Sequence, residues 1–548
     1  MGLIPRPTWC RFVAVSGWAA VSVACGVTFG QQPDPADPSS PSAPSAPNRP
    51  PTAGSPASGG TIEASSPEEA RAILKAQLTA ELSRKAEAKD LPGAARVLED
   101  LVKLSPGQWQ PRYNLAAVRA RMGSEQRDAA AAALADAFSC GLDDFARIRA
   151  DGALAGLLDH PVIEPIAGAP EKLLLAIRDS RAAAAKKQYG NRYSVTNNEA
   201  LRATIVSSVP ESSTAFATEQ MVLIRDWWQH AVLPEGTAAI VEGGPTPSPW
   251  VMVVIPTRPH FNRWAAEVVG ARADSLAGLY DHDRRELVTQ DTGSTLRQEF
   301  AHALHWRHMM RLGQFHPVWV QEGLCSLVED VTMPPAGKPG AGEPAGVKDG
   351  VPVLLTPVPS WRTNTVRRMA ELNNLPRFAE LFAMQPEKFT AERTLANYAA
   401  ARAIFLYLSQ KGLLRAWYGA FTEGFAADPT GGAALAAVLG KPLGEVEKDF
   451  RSWARGLPDA PDANRGNQFS FGTPLEQAAD GLAVTQLGLS DLRTGGLLPG
   501  DVVQVVAGTP VRDWHDLERA LANNKFGDVV EVQVRRQQKV VTLKLQIK

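Results

Sequence analysis

The sequence predicts an α+β multidomain chain: an all-helical region first, a mixed sheet-and-helix domain with a helical second lobe in the middle, and a small β-rich module last. Three observations carry this. The 548 residues exceed what one hydrophobic core holds, and suggest three or four domains. Apolar residues recur with helical spacing over residues 67–165, give way to short apolar runs between helical stretches over 172–290, and return to helical spacing over 373–455. After residue 458 they fall into short strands. With 57 basic against 58 acidic residues the net charge is -1, so no global field draws nucleic acid or an anionic membrane to the chain, and no nucleic-acid partner is expected.

Residues 1–30 have the parts of a signal peptide. Arg6 and Arg11 lie near the start, ahead of an apolar core from Phe12 to Val23, which is followed by small residues that offer cleavage after Ala24 or Gly30. Export is therefore expected, to the periplasm, the cell envelope or the medium. The apolar core, broken by Ser16 and Gly17, falls short of the roughly 20 residues that span a bilayer, so no transmembrane helix is expected in the mature chain. Ser22-Val23-Ala24-Cys25 also resembles a lipoprotein cleavage box, which leaves a lipid anchor at Cys25 as the alternative. Residues 31–65 are Pro-, Ser- and Ala-rich with almost no large apolar side chains, and read as a disordered tether. Cys140 and Cys325 fall in different domains, so two free thiols are expected rather than a disulfide.

Over residues 66–165 helix starts recur. Ser66 with Pro67 and two acids opens the first, Asp90-Leu91-Pro92 the second, and Gln126-Arg127-Asp128 a similar one roughly 35 residues on. Tyr113-Asn114-Leu115-Ala116, with small residues at Ala116, Ala120, Ala129 and Ala133, resembles the first helix of a tetratricopeptide unit. That resemblance implies a partner-binding surface; an alanine-rich helical cap on the next domain is the other reading.

Residues 172–457 form the central domain. Tyr193 to Thr196 and Trp250 to Ile255 read as strands, 211 to 231 and about 261 to 269 as helices, and 277–281 with 286–289 as paired strands. The next helix reads TLRQEFAHALH from Thr295 to His305. Zinc hydrolases place two histidines at i and i+4 on one helix face, with a glutamate beside the first to activate water. Here those positions are Gln298, Glu299 and His302. Downstream, His316-Pro317-Val318-Trp319-Val320-Gln321-Glu322-Gly323 resembles the segment that delivers a glutamate ligand in gluzincin peptidases.

The middle of the chain, roughly 190 to 457, thus resembles the zincin-like peptidase fold. That resemblance implies His302 and Glu322 as zinc ligands, Gln298 in place of the first histidine, Glu299 as general base, the strand at Gly278-Leu279-Tyr280 as substrate-binding edge, and Tyr398 as a hydrogen-bond donor to a tetrahedral oxyanion. An aromatic packed in a helical core is the other reading of Tyr398. Gln298 offers a neutral amide oxygen where an imidazole is expected, so zinc is expected to be weak or absent. Ser326 stands where some gluzincins carry an acid that orients the first histidine. His305, one turn after His302, and His316 are the residues that could approach the cleft instead.

After a linker at 458–468, residues 469–548 resemble a PDZ domain, a small β-barrel-like module. Gly496-Leu497-Leu498-Pro499-Gly500-Asp501 matches its turn into a central strand, Gly508-Thr509-Pro510-Val511 its hairpin, and Trp514 to Ala522 its groove helix. The resemblance implies that a C-terminal peptide adds as a strand beside Leu482 and Val484, its carboxylate held by a loop within Phe469 to Thr473. Two functions follow. One is an exported metallopeptidase homologue, degraded or inactive through Gln298. The other is a non-catalytic scaffold that binds polypeptide through its tetratricopeptide-like, zincin-like and PDZ surfaces.

Overall fold

A computed structural model describes residues 67–237, 247–269, 276–332, 347–348, 351–352, 354–462, 471–486 and 496–548. The expected signal and tether lie outside them. Two compact units result, the first ending at Leu142 and the second running from Asp143 to Lys548.

In the first unit, α1 (Pro67–Glu87), α2 (Leu91–Leu104), α3 (Trp109–Met122) and α4 (Arg127–Ser139) pack successively. The Asp90 carboxylate accepts the Gly93 N–H at 2.8 Å and so caps α2. Ala116, Ala130 and Ala133 are buried where α3 and α4 approach, with Ala120 and Ala129 half-buried. Residues 143–165 belong to the second unit, because Asp143 and Asp144 face Arg285 at 3.3 and 3.4 Å within its core.

The body of the second unit is a five-stranded sheet. Its strands are β1 (Ser194–Asn198), β2 (Ala203–Ser207), β3 (Val251–Ile255), β4 (Gly278–Asp281) and β5 (Glu286–Thr289), in the order β1-β2-β3-β5-β4. β2, β3 and β5 run parallel, and both edge strands are antiparallel to their neighbours. Every residue of β2 and β3 is buried, as parallel strands covered on both faces require. Alternate side chains serve the two faces. Val206, Met252, Val254 and Val288 pack under α5 (Pro170–Tyr189) and α7 (Arg258–Val269). Ile205, Val251, Val253 and Leu287 pack under α6 (Glu211–Trp227) and α8 (Ser294–Leu312). The helix expected over 211–231 is α-helical to Trp227 and finishes in a wider π-helical turn, Trp228–Val232.

α9 (Val318–Cys325) then packs on a helical lobe made of α10 (Trp361–Glu371), α11 (Thr394–Gln410), α12 (Leu414–Gly424), α13 (Gly432–Leu439) and α14 (Leu443–Arg455). The Pro317-to-Gly323 segment is explained by packing. Trp319 is fully buried, stacks on Phe382 and Phe405 at 4.2 and 5.3 Å, and donates its indole N–H to Thr430 O at 3.0 Å. Gly323 lets α9 lie on α11: a Cβ there would stand 2.6 Å from Ala401 O and 2.8 Å from the Phe405 ring. Gly323→Ala is therefore expected to destabilise the chain by about 1–3 kcal/mol through overpacking. Urea midpoints would measure this, and an unchanged midpoint would remove the account of Gly323.

The last module has strands β6 (Leu475–Ala478), β7 (Gly481–Val484), β8 (Val502–Val506), β9 (Thr509–Pro510), β10 (Val529–Arg536) and β11 (Lys539–Gln546), with α15 (Trp514–Leu521). The sheet order is β6-β7-β8-β10-β11, with β9 beside β8. The Gly500-Asp501 turn is held because the buried Asp501 carboxylate accepts the Leu498 N–H at 2.8 Å and both ends of the Arg536 guanidinium at 2.8 Å.

Candidate functional site

The chemistry-bearing residues of α8 lie on a helix buried on nearly all sides, which is why its polar side chains face protein rather than water. Gly293 precedes it with no side-chain cap of its own. Its first N–H groups are instead taken by two buried carboxylates. Asp291 accepts from Gly293 and Thr295 at 2.8 and 3.2 Å, and Asp513 accepts from Ser294 at 3.1 Å.

Gln298 and His302 share a face by their i, i+4 spacing. His302 meets Glu322 from α9, with Nε2 and Oε2 3.7 Å apart. Glu299 turns toward the sheet. Its Oε2 accepts the backbone N–H of Tyr280 on β4 at 2.8 Å, while Oε1 is buried with no hydrogen-bond partner. Burial, and after it the neighbouring charge of Glu322, hold the Glu299 carboxyl well above its ordinary pKa. Burial likewise lowers His302 to about 4 and keeps its imidazole neutral, and its Nε2 is buried with no hydrogen-bond partner.

This set does not fit a catalytic zinc. Two donors on one tetrahedral cation would lie roughly 3.4 Å apart, near the His302–Glu322 separation, but a catalytic centre takes three protein ligands. Among the described residues no group of three or more His, Cys, Asp or Glu is arranged to hold a metal ion. The third position is Gln298, a neutral amide on a buried helix face.

The other histidines do not fill the gap. His305 is fully buried and turns its Nε2 to His316 Nδ1 at 2.8 Å, with Cys325 Sγ 3.9 Å from its Nδ1. His316 Nε2 meets Gln314 at 3.2 Å. His308, which helix geometry turns away from His302, meets the Tyr418 hydroxyl at 2.9 Å. Tyr398 is buried with its ring 5.0 Å from Phe389 and 5.9 Å from the Arg362 guanidinium, a core environment. Ser326 donates its hydroxyl back to Gly323 O at 3.3 Å.

In the last module, the expectation for the groove needs correcting. Leu482 and Val484 are 0% and 2% exposed on β7, which has β6 on one side and β8 on the other, so no strand can add there. The sheet's edge strands are β6 and β11, and β6 is the edge that Gln477 ties to the start of α15 by donating to Arg512 O at 2.8 Å. Phe471-Gly472-Thr473 leads into β6, with Gly472 in the left-handed region at φ +74°. The sequence carried a signal for this in Pro474 and the two polar residues Glu476 and Gln477 in the middle of the strand, though four residues do not tell an edge from an interior strand.

Residues 472–547 match the family model for the PDZ domain. No curated protein matches the chain. Among solved structures, one described as an aminopeptidase N family protein from Idiomarina loihiensis is similar at 13% identity, covering 65% of this chain and 66% of that one, with a TM-score of 0.23.

Proposed function

We propose that this chain is a non-catalytic peptide-binding protein: a body of gluzincin-like descent, without a working zinc centre, that carries a PDZ domain and takes extended polypeptide at the open edge of β6. The observation that carries it is the pairing of an unpartnered edge strand in a PDZ module with a helix whose metal set stops at His302 and Glu322. Strand addition needs only backbone donors and acceptors on β6 and side-chain contacts from α15. The signal-like residues 1–30 support action outside the cytoplasm.

One observation favours a residual metallopeptidase instead: His302 and Glu322 still converge, with Glu299 one residue from Gln298. Metal analysis separates the two. Full-length protein, purified and dialysed against micromolar zinc, is expected to hold well under one zinc per chain and to show no chelator-sensitive hydrolysis of casein, because an incomplete ligand set loses most of its affinity. Stoichiometric zinc with cleavage that a chelator stops would overturn the proposal. Gln298→His supplies the missing imidazole, and a gain of zinc in that variant alone would trace the loss to this residue.

A further inference from the structure

The two walls of the groove end against the body. Ala479, directly after β6, accepts the backbone N–H of Thr292 at 2.9 Å. Asp513, directly before α15, accepts the Ser294 N–H and hydroxyl at 3.1 and 2.6 Å while its other oxygen caps α15 through the Asp516 N–H at 2.8 Å. Gln477 on β6 ties the walls together by donating to Arg512 O at 2.8 Å, and the Arg512 guanidinium lies 4.2 Å over the Phe216 ring of α6. Gly293 makes the approach feasible: a Cβ there would fall 2.8 Å from Arg512 Cβ and 2.9 Å from Asp513 Oδ2. Residues 291–294 are buried.

With its carboxylate at Phe471-Gly472-Thr473, where the PDZ resemblance places it, a ligand strand runs antiparallel to β6. Its upstream residues therefore travel toward Ala479, where the groove ends on Thr292 and Ser294. We infer that the body is an end-stop for the peptide groove: it limits strand addition to the length of β6, four residues, and selects short free C-terminal tails of partner polypeptides. Longer extended segments have to compete with the body for the same end of the groove. The occupant is thus a tail whose upstream chain turns outward after about four residues, one ligand residue pairing per strand residue. This rests on the peptide-binding reading of the PDZ module.

The test is selection from a displayed library of random decapeptides with free C-termini against the full-length chain. A clear residue preference is expected at about the last four positions only. Gly293→Leu, which wedges Arg512 and Asp513 off the body, is expected to extend the preference upstream and to tighten binding of a selected decapeptide by about fivefold or more, a modest coupling between sites. Phe216→Ala, which removes the ring under Arg512, should act in the same direction, and circular dichroism would show that each variant stays folded. Identical preferences and affinities in folded wild type and variants would overturn the end-stop while leaving peptide binding intact. So would a wild-type preference that already spans more than six positions. Enrichment by none of the proteins, or equal enrichment of amidated peptides, would overturn the peptide-binding reading itself.

Discussion

Replacing Arg362 by methionine is expected to cost about 3–5 kcal/mol of stability, the cost of leaving a buried carboxylate without its partner. Arg362 and Glu329 are 2% and 3% exposed and meet in a two-point pair, Nε to Oε2 and Nη2 to Oε1, both at 2.8 Å. The pair closes the junction where α9 runs on into the helical lobe. Around it, Arg297 donates to Val328 O and Glu329 O, and Arg402 donates to Ser326 O and Val358 O. Arg362 also stacks over Trp361 at 4.6 Å, so the substitution removes packing as well as charge. Because the cost lies in the stranded charge, the double variant Arg362→Met/Glu329→Leu should recover most of it. Urea unfolding of both variants is the measurement. A single variant within 1 kcal/mol of wild type would show that Glu329 finds another partner among these arginines.

That cluster also shows where sequence stops being informative. Glu329 and Arg362 are 33 positions apart, with no local pattern to join them. What could be read was what is local. The Gly496-to-Asp501 turn is legible because one short segment holds the glycine at φ +89° and the aspartate that closes the turn. The Gln298–His302 face is legible because helical spacing fixes it. Burial is not local. His305, near the end of the helix, invites a partly exposed reading, yet it is 1% exposed, because Trp228 of the π-helical turn, Cys325 of α9 and Tyr418 of α12 close on it together. The groove failed for a related reason: β7 outranks β6 in apolar content because it lies inside the sheet, whereas a ligand needs the strand at its edge.

Mild acid should weaken this fold through its buried histidines. His308 is held neutral at the Tyr418 hydroxyl, and His316 is held neutral between His305 and Gln314. Burial, with Arg311 nearby, lowers His308 to about 4, and burial, with His308 nearby, lowers His316 to about 3. Unfolded, both return to 6.5. Above pH 6.5 neither state binds their protons and they cost nothing. As pH falls from 6.5 toward 4, the unfolded chain takes up protons that the folded chain refuses, and stability drops by about 1.4 kcal/mol per unit for each histidine. At pH 5 the two together remove about 4 kcal/mol. His305, lowered in the same direction by burial and His316, adds to the loss. Asp291 and Glu299 act oppositely, since burial raises them and the fold regains stability as pH falls toward their unfolded values. The histidine part is isolated by comparing wild type with His308→Gln/His316→Gln, whose amides stay neutral. Between pH 7 and pH 5 the wild type should lose about 4 kcal/mol more than the variant in urea unfolding. Parallel pH curves would mean that these imidazoles take up protons inside the fold, and that the contacts among α8, α12 and the Gln314-to-His316 segment open well below neutral pH.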